Sequence, residues 1–249
     1  MNMESLFVDF TFNDRHVVKV PQFEVEFLQK EIHRCRLDSM ESLLKPGDTY
    51  FDIGTEHGWF APLFSRWVGA ENMCLFEPQP FSWGNIKATW EANVGSVPPK
   101  STFCGFVANS DRGDPVSPAS IKPWPKACNY GFQTQPGYAG FPERLDIPAV
   151  TIDSFVKSTG IVPTAIGMNI EGAEAIALAG GQETFKKYHP LVWVAMHVYG
   201  PGVNGNAPSP IEYDYGTTCE NLIRLMESCG YKSEFLGVSF EHQYLFHNT

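Results

Sequence analysis

Residues 51–59 read FDIGTEHGW, and this stretch decides the fold class. A short apolar strand, Thr49–Ile53, runs into a loop that carries two glycines, Gly54 and Gly58. Glycines at such a junction let the backbone turn tightly and approach a ligand closely. A dinucleotide-binding loop has the spacing G-x-G-x-x-G, whereas here the second glycine comes later and Glu56 would repel phosphate. The loop therefore favours a ligand with a positive sulfonium and an amino-acid head over a diphosphate.

Short apolar strands alternate with helical segments along the rest of the chain, which is the pattern of parallel βαβ units. We predict strands at Thr49–Ile53, Met73–Glu77, Thr102–Ala108, Ala165–Ile170, Leu191–His197, Tyr231–Leu236 and Gln243–His247. We predict helices at residues 23–44, Trp59–Val68, Phe81–Ala92, Gln182–Tyr188 and Thr217–Cys229, and a short helix that begins at Asp153. The last two strands should pair antiparallel across a short link. We therefore expect one α/β domain over residues 1–249, with an N-terminal lead-in at residues 1–44. Its Rossmann-like sheet should have seven mostly parallel strands, should end in an antiparallel hairpin, and should carry helices on both faces.

The composition argues against several classes of protein. With 18 Lys and Arg against 28 Asp and Glu, the formal net charge is −10, which opposes binding to a nucleic-acid backbone. No apolar run approaches the ~18 residues of a membrane span, and the N-terminus lacks a signal-peptide pattern. The six cysteines are scattered without metal-like spacing. We expect a soluble, intracellular, cytoplasmic protein; its oligomeric state stays open.

Two long loops, residues 110–148 and 200–216, fit neither strand nor helix. They are rich in Pro and Gly and carry aromatic residues, among them Trp124, Tyr130 and Tyr138. Loops of this length in a compact domain are usually functional. We expect both to border the pocket of a substrate, with aromatic faces for a sugar ring; alternatively, the aromatic side chains simply pin the loops to the body of the domain.

A carboxylate ends the second predicted strand. Glu77 follows the glycine loop by roughly 20 residues, the distance at which an acidic residue accepts both ribose hydroxyls of an adenosine-bearing cofactor. Pro78 fixes the turn after it, which argues against a merely solvated glutamate.

Polar residues also end two further buried strands. Asn169 and Glu171 follow the strand that begins at Ala165, and His197 ends the strand that begins at Leu191. If both strands are central, these three side chains converge at the carboxyl edge of the sheet, where open α/β sheets bind ligands. His197 alone is equally well read as a hydrogen-bonded core histidine. Glu174 is expected to cap or ion-pair with the following helix.

Taken in order, these motifs resemble the FkbM-type methyltransferases, which transfer methyl from S-adenosylmethionine mostly to oxygen atoms of sugars and natural products. The resemblance runs from about Leu44 to the C-terminus and rests on residues 46–48, 52–54, 76–78, 151–155, 170–174 and the strand after Pro190. It implies that Asp52, Gly54 and Gly58 shape the methionine side of the pocket, that Glu77 holds the ribose, and that Asn109 and Ser110 lie near the adenine. The implied cofactor-binding set is Asp52, Gly54, Thr55, Glu56, Gly58, Trp59, Glu77, Pro78, Asn109 and Ser110.

The chain departs from the family pattern at catalytic positions. The usual lysine and aspartate before the EGAE turn correspond here to Gly167 and Asn169, and the usual glutamate of the next strand to Ala195. Cofactor binding is therefore better supported than catalysis. A catalytically silent cofactor-binding module is the alternative outside the enzymes.

A hydroxyl acceptor needs a base within hydrogen-bond reach or a metal that acidifies it. We take Glu171 or His197 as the base, with Asn169 beside them, and leave open a divalent metal held by all three. The expected acceptor is a carbohydrate hydroxyl. Methylation of another small molecule, at oxygen or nitrogen, is the alternative within the enzymes.

Overall fold

The structure, a computed structural model, describes residues 6–29, 34–114, 116, 123–132, 147–197, 219–239 and 241–248. The strands are β1 (Phe7–Phe12), β2 (His16–Pro21), β3 (Tyr50–Ile53), β4 (Met73–Phe76), β5 (Ser101–Phe103), β6 (Phe106–Val107), β7 (Ala149–Val150), β8 (Ala165–Met168), β9 (Leu191–Met196), β10 (Lys232–Val238) and β11 (His242–His247). The helices are α1 (Val25–Leu28), α2 (Arg34–Leu43), α3 (Ala61–Val68), α4 (Ser82–Val94), α5 (Ile152–Thr159), α6 (Glu174–Ala179), α7 (Gln182–Tyr188) and α8 (Cys219–Ser228). Short 3-10 helices lie at Gln22–Glu24, Ala70–Asn72 and Lys126–Tyr130.

A seven-stranded sheet with the order β10-β11-β9-β8-β3-β4-β5 forms the centre of the molecule. β3 pairs in parallel with β4 and with β8, while β11 runs antiparallel to both β9 and β10. The predicted Rossmann-like methyltransferase fold with its C-terminal antiparallel hairpin is therefore confirmed. The strand order reverses between β3 and β8, and the carboxyl ends of strands at such a reversal form the ligand-binding crevice of open sheets.

The central strands carry apolar residues at successive positions because helices cover both faces of the sheet. Every residue of β3, β4 and β8 is buried. One face packs against α5, α6, α7 and α8 through residues such as Phe155, Phe185 and Leu222. The other packs against β2, α2, α3 and α4 through residues that include Phe64 and Trp90. The two cores fix the carboxyl ends of β3, β4 and β8 relative to one another.

The N-terminal lead-in differs from the predicted helix. Residues 7–21 form a hairpin, β1 and β2, whose turn places Asn13 and Asp14 at φ 50° and 57°; Asn and Asp tolerate this left-handed conformation. The predicted helix over 23–44 is two separate helices, α1 and α2, and residues 30–33 lie outside the described part. The side chain of Asn93 on α4 accepts from the backbone N–H of Lys19 at 2.8 Å and donates to its carbonyl at 2.8 Å, which ties the hairpin to the domain.

The predicted strand Thr102–Ala108 is wrong in its second half. The chain leaves the main sheet after β5, and β6 pairs with β7 in a separate two-stranded sheet. Gly105 makes this departure possible, because a Cβ there would lie 2.6 Å from the carbonyl oxygen of Pro148.

The other predicted elements agree with the structure to within a few residues at their ends. Thr151 caps α5 by accepting a hydrogen bond from the N–H of Ser154 at 2.9 Å. All six cysteines are free thiols. In the described ranges, the helices fall short of the length and apolar character needed to cross a membrane.

Candidate active site

The glycine loop after β3 is held between the ends of its two neighbouring strands. The N–H groups of Gly54 and Thr55 donate to the carbonyl of Phe76 on β4, at 2.9 and 3.1 Å. On the other side, the N–H of Asn169 donates to the carbonyl of Ile53 at 3.1 Å. A Cβ on Gly54, where φ is +88°, would lie 2.0 Å from the carbonyl oxygen of Asn169, so only glycine fits. The loop thus brings Asp52, the end of β4 and the end of β8 to one place.

Glu77 lies directly after β4 with both carboxylate oxygens oriented by backbone groups. Oε2 accepts from the N–H of Glu56 at 2.9 Å, and Oε1 accepts from the N–H of Gln79 at 2.7 Å. Burial raises the pKa of Glu77 to about 7, although these two N–H groups oppose the rise. Each oxygen keeps a second lone pair, so the carboxylate can accept the two hydroxyls of a ribose while its backbone bonds stay intact.

A pocket opens beside Asp52, between the glycine loop, β8 and α2. It is lined by Arg36, Tyr50, Asp52, Ile53, Gly54, Thr55, Glu56, Trp59, Phe60, Gly167, Met168 and Asn169. Burial raises the pKa of Asp52 to about 7, and the nearby charge of Arg36 partly offsets this rise. The buried atoms Trp59 Nε1, Asn169 Oδ1 and Arg36 Nε have no hydrogen-bond partner in the described part of the chain. Buried polar atoms are normally paired, so a pocket lined by three unpaired ones is built for a polar ligand.

Three carboxylates surround His197 at the end of β9. Its Nδ1 lies 2.8 Å from Oε1 of Glu174, and its Nε2 lies 3.5 Å from Oε1 of Glu171 and 3.5 Å from Oε1 of Glu241. Glu174 is fully buried, while the side chain of Glu171 is 77% exposed at the positive φ of 57°. Glu174 is the first residue of α6, as expected for an acidic residue at a helix start, and its Oε1 also accepts from the N–H groups of Ile170 and Gly172. It thus also orders the turn before the helix and anchors His197.

The electrostatics of this cluster decide what His197 can do. Burial alone would lower its pKa, but hydrogen bonds and charges from Glu171 and Glu174 outweigh burial and raise the pKa to about 10. His197 therefore carries a proton near neutral pH and cannot accept another. Of the two bases suggested by the sequence, the geometry favours the exposed carboxylate of Glu171.

Two of the three residues suggested for a metal are in contact. Glu171 contacts His197, whereas Asn169 lines the pocket beside Asp52. Within the described ranges, no three His, Cys, Asp or Glu side chains are grouped so that they could hold a metal ion. We therefore assign no step to a metal.

Other predicted residues lie farther from the pocket. Asn109 and Ser110 are exposed after β6 and do not line it. Trp124 packs against Trp90 of α4, with ring centroids 6.2 Å apart, and Tyr130 packs on Phe81 at 4.7 Å. These two aromatic residues thus pin their segment to the body of the domain, although Tyr130 stays 56% exposed. Tyr138 and the loop 200–216 lie outside the described residues.

Residues 23–27, near the N-terminus, pack over the glycine loop, a contact that the sequence patterns do not predict. The ring of Phe23 lies 6.4 Å from that of His57, and the ring of Phe27 lies 5.4 Å from that of Trp59. The buried Glu24 places Oε1 3.6 Å from Nε2 of His57. Burial raises the pKa of Glu24 to about 7 and lowers that of His57 to about 4, so both groups tend to be neutral. The loop is therefore shielded from water on this side.

A family model provides the comparison that fits this geometry. The model of the methyltransferase FkbM domain matches residues 52–233, which is most of the chain. This chain belongs to the FkbM methyltransferase family. The family is one of methyltransferases, and the matched range contains the glycine loop, Glu77, Glu171 and His197.

The packing around Gly167 explains why this FkbM-family chain lacks the usual lysine at that position. A Cβ on Gly167 would lie 1.8 Å from the hydroxyl oxygen of Tyr50. The buried Tyr50 side chain therefore occupies the space that a lysine at position 167 would enter.

Solved structures with similar folds include other methyltransferases. Methyltransferase FkbM from Methylobacillus flagellatus KT is 15% identical, with a TM-score of 0.48 over 83% of this chain, which spans only 45% of that protein. A SAM-dependent methyltransferase from Aquifex aeolicus is 12% identical, with a TM-score of 0.47 over 88% of this chain and 90% of that one. A methyltransferase from Pyrococcus furiosus is 10% identical, with a TM-score of 0.45 over 85% and 80%. No protein of curated function matches the sequence.

Proposed function

We propose that this FkbM-family chain binds S-adenosylmethionine at the carboxyl ends of β3, β4 and β8 and methylates a sugar hydroxyl. The observation that carries the proposal is Glu77, whose two oxygens are fixed by backbone N–H groups and keep lone pairs for a ribose. The orphaned Trp59 Nε1 and Asn169 Oδ1 in the neighbouring pocket fit the same polar ligand. Bound there, the cofactor supplies an activated methyl group.

The acceptor side of the reaction uses residues of this chain. A hydroxyl is a weak nucleophile near neutral pH and needs a base to take its proton. The carboxylate of Glu171 is exposed at the same edge of the sheet, and the protonated His197 beside it holds that carboxylate in place. We assign the contact with a sugar ring to Tyr130, whose side chain is 56% exposed although it also packs on Phe81. These features support a carbohydrate hydroxyl as acceptor.

Turnover tests this proposal. The wild-type protein should form S-adenosylhomocysteine with at least one member of a panel of glycans. Glu171→Gln should lower kcat by about 10²–10⁴-fold and leave the affinity for S-adenosylhomocysteine nearly unchanged, because a general base acts mainly in the transition state. Glu227→Gln, an exposed position on α8, is the matched control and should keep full turnover.

The alternative is a cofactor-binding module without turnover. It is favoured by Tyr50, which fills the space of the usual family lysine beside Gly167. Binding of S-adenosylhomocysteine without turnover on glycans or other small hydroxyl and amine acceptors would support it. Turnover that survives Glu171→Gln would instead show that the base lies elsewhere.

A further inference from the structure

Arg36 is a buried arginine whose charge is balanced only in part, by the nearby carboxyl of Asp52. It lies on α2, is 5% exposed, and lines the pocket with Asp52, Gly167 and Asn169. Within the described part of the chain, no hydrogen bond or ion pair joins its guanidinium to another residue. Its guanidinium carbon lies over the ring of Phe60, 5.8 Å from the centroid. Arginine is rarely buried without a partner.

Burial of a guanidinium without hydrogen bonds is costly, so an anionic ligand that accepts hydrogen bonds from it would gain a strong interaction. The side chain presents a planar fork of five N–H donors, which matches a carboxylate in bidentate geometry. The other charged groups that line the pocket, Asp52 and Glu56, are acidic and suit the cationic parts of a ligand instead.

The position of Arg36 indicates which end of the cofactor it meets. It shares its pocket with Gly167 and Asn169 on the β8 side of β3, whereas Glu77 follows β4 on the opposite side of β3. An extended ligand whose ribose lies at Glu77 would therefore reach Arg36 with its other end. In S-adenosylmethionine that end carries an amino group and a carboxylate.

We propose that Arg36 binds the α-carboxylate of S-adenosylmethionine and of S-adenosylhomocysteine, and so selects ligands with an intact amino-acid end. This inference rests on the proposed binding site. Arg36 is a positioning residue that holds the methionine part in the pocket, and Asp52 on the same wall suits the amino group.

Calorimetry with two ligands tests the assignment. Arg36→Met replaces the guanidinium with an apolar chain. It should weaken binding of S-adenosylhomocysteine by about 10- to 100-fold. Binding of 5′-S-(3-aminopropyl)-5′-thioadenosine, which lacks only the carboxylate, should change by less than about threefold. Arg36→Lys should fall between. Arg34→Met, an exposed position on the same helix, is the matched control and should bind both ligands as the wild type does.

Thermal unfolding of the ligand-free protein separates binding from folding. Methionine keeps much of the buried side-chain volume of Arg36, so the ligand-free melting temperature of Arg36→Met should stay close to that of the wild type, while the shift produced by S-adenosylhomocysteine should shrink. Equal losses of affinity for both ligands would overturn the inference, as would unchanged affinity for both. A wild type that binds neither ligand would overturn the proposed function itself.

Discussion

The affinity for S-adenosylhomocysteine should rise with pH because of Glu77. Burial raises its pKa to about 7, so the carboxyl is about one tenth ionised near pH 6 and about nine tenths ionised near pH 8. Ribose hydroxyls donate best to the ionised form. The dissociation constant should therefore fall by about tenfold over this range, or ~1.4 kcal/mol, and further to the extent that Asp52, whose pKa is also about 7, takes part.

Titration calorimetry of Glu77→Gln near pH 6 and pH 8 isolates this contribution. The variant should bind more weakly than the wild type. The roughly tenfold fall of the dissociation constant between about pH 6 and pH 8 that Glu77 causes should be absent from it. Glu71→Gln, an exposed position in the 3-10 helix before β4, should keep the wild-type pH dependence. A raised pKa in the folded state also means that the ligand-free wild type loses stability as pH rises from about 5 to about 8, and Glu77→Gln should lose less. An unchanged pH dependence of binding in Glu77→Gln would refute the reasoning.

Two further substitutions test the packing of the site. His197 has its pKa raised from 6.5 to about 10, so its stabilising effect is complete below about pH 6.5 and is lost as pH rises through about 10. Urea unfolding should show that His197→Gln is less stable than the wild type by about 3 kcal/mol near neutral pH. This difference in the free energy of unfolding should become smaller towards about pH 10, and a difference that stays constant with pH would contradict the reasoning. Gly54→Ala places a Cβ 2.0 Å from the carbonyl oxygen of Asn169 and should abolish binding of S-adenosylhomocysteine. Gly95→Ala has a similar φ of +84° with no atom within 4 Å of the added Cβ, so it should cost about 1–3 kcal/mol of backbone strain and leave binding unchanged. Equal effects of the two substitutions on binding would argue against the close approach.

The sequence predicted the fold well because the fold depends on local patterns. Glu77 ends an apolar strand at a fixed distance from the glycine loop, and the sheet order places that strand end beside the loop. The role of these residues in cofactor binding stays a prediction. The hairpin was missed although its signal was present, an Asn13-Asp14 turn between two alternating runs.

Other parts of the site depend on packing between distant segments. Glu174 and His197 are 23 residues apart and meet only because β8 and β9 are neighbours. Arg36 and Glu24 belong to the N-terminal lead-in. No local sequence pattern predicts which strand ends their side chains contact in the folded protein. A charged residue next to Leu37 on the apolar face of a helix was the signal that could have drawn attention to Arg36.

Strand β11 lies between β9 and β10 in space although it follows both in the chain. β11 is the strand that joins β10 to the sheet, so β10 cannot take its place until β11 has paired with β9. Until His242–His247 emerge, β9 remains an edge with unpaired backbone groups, and such edges invite aggregation. A chain truncated before His242 should therefore aggregate more readily than a chain that contains β11.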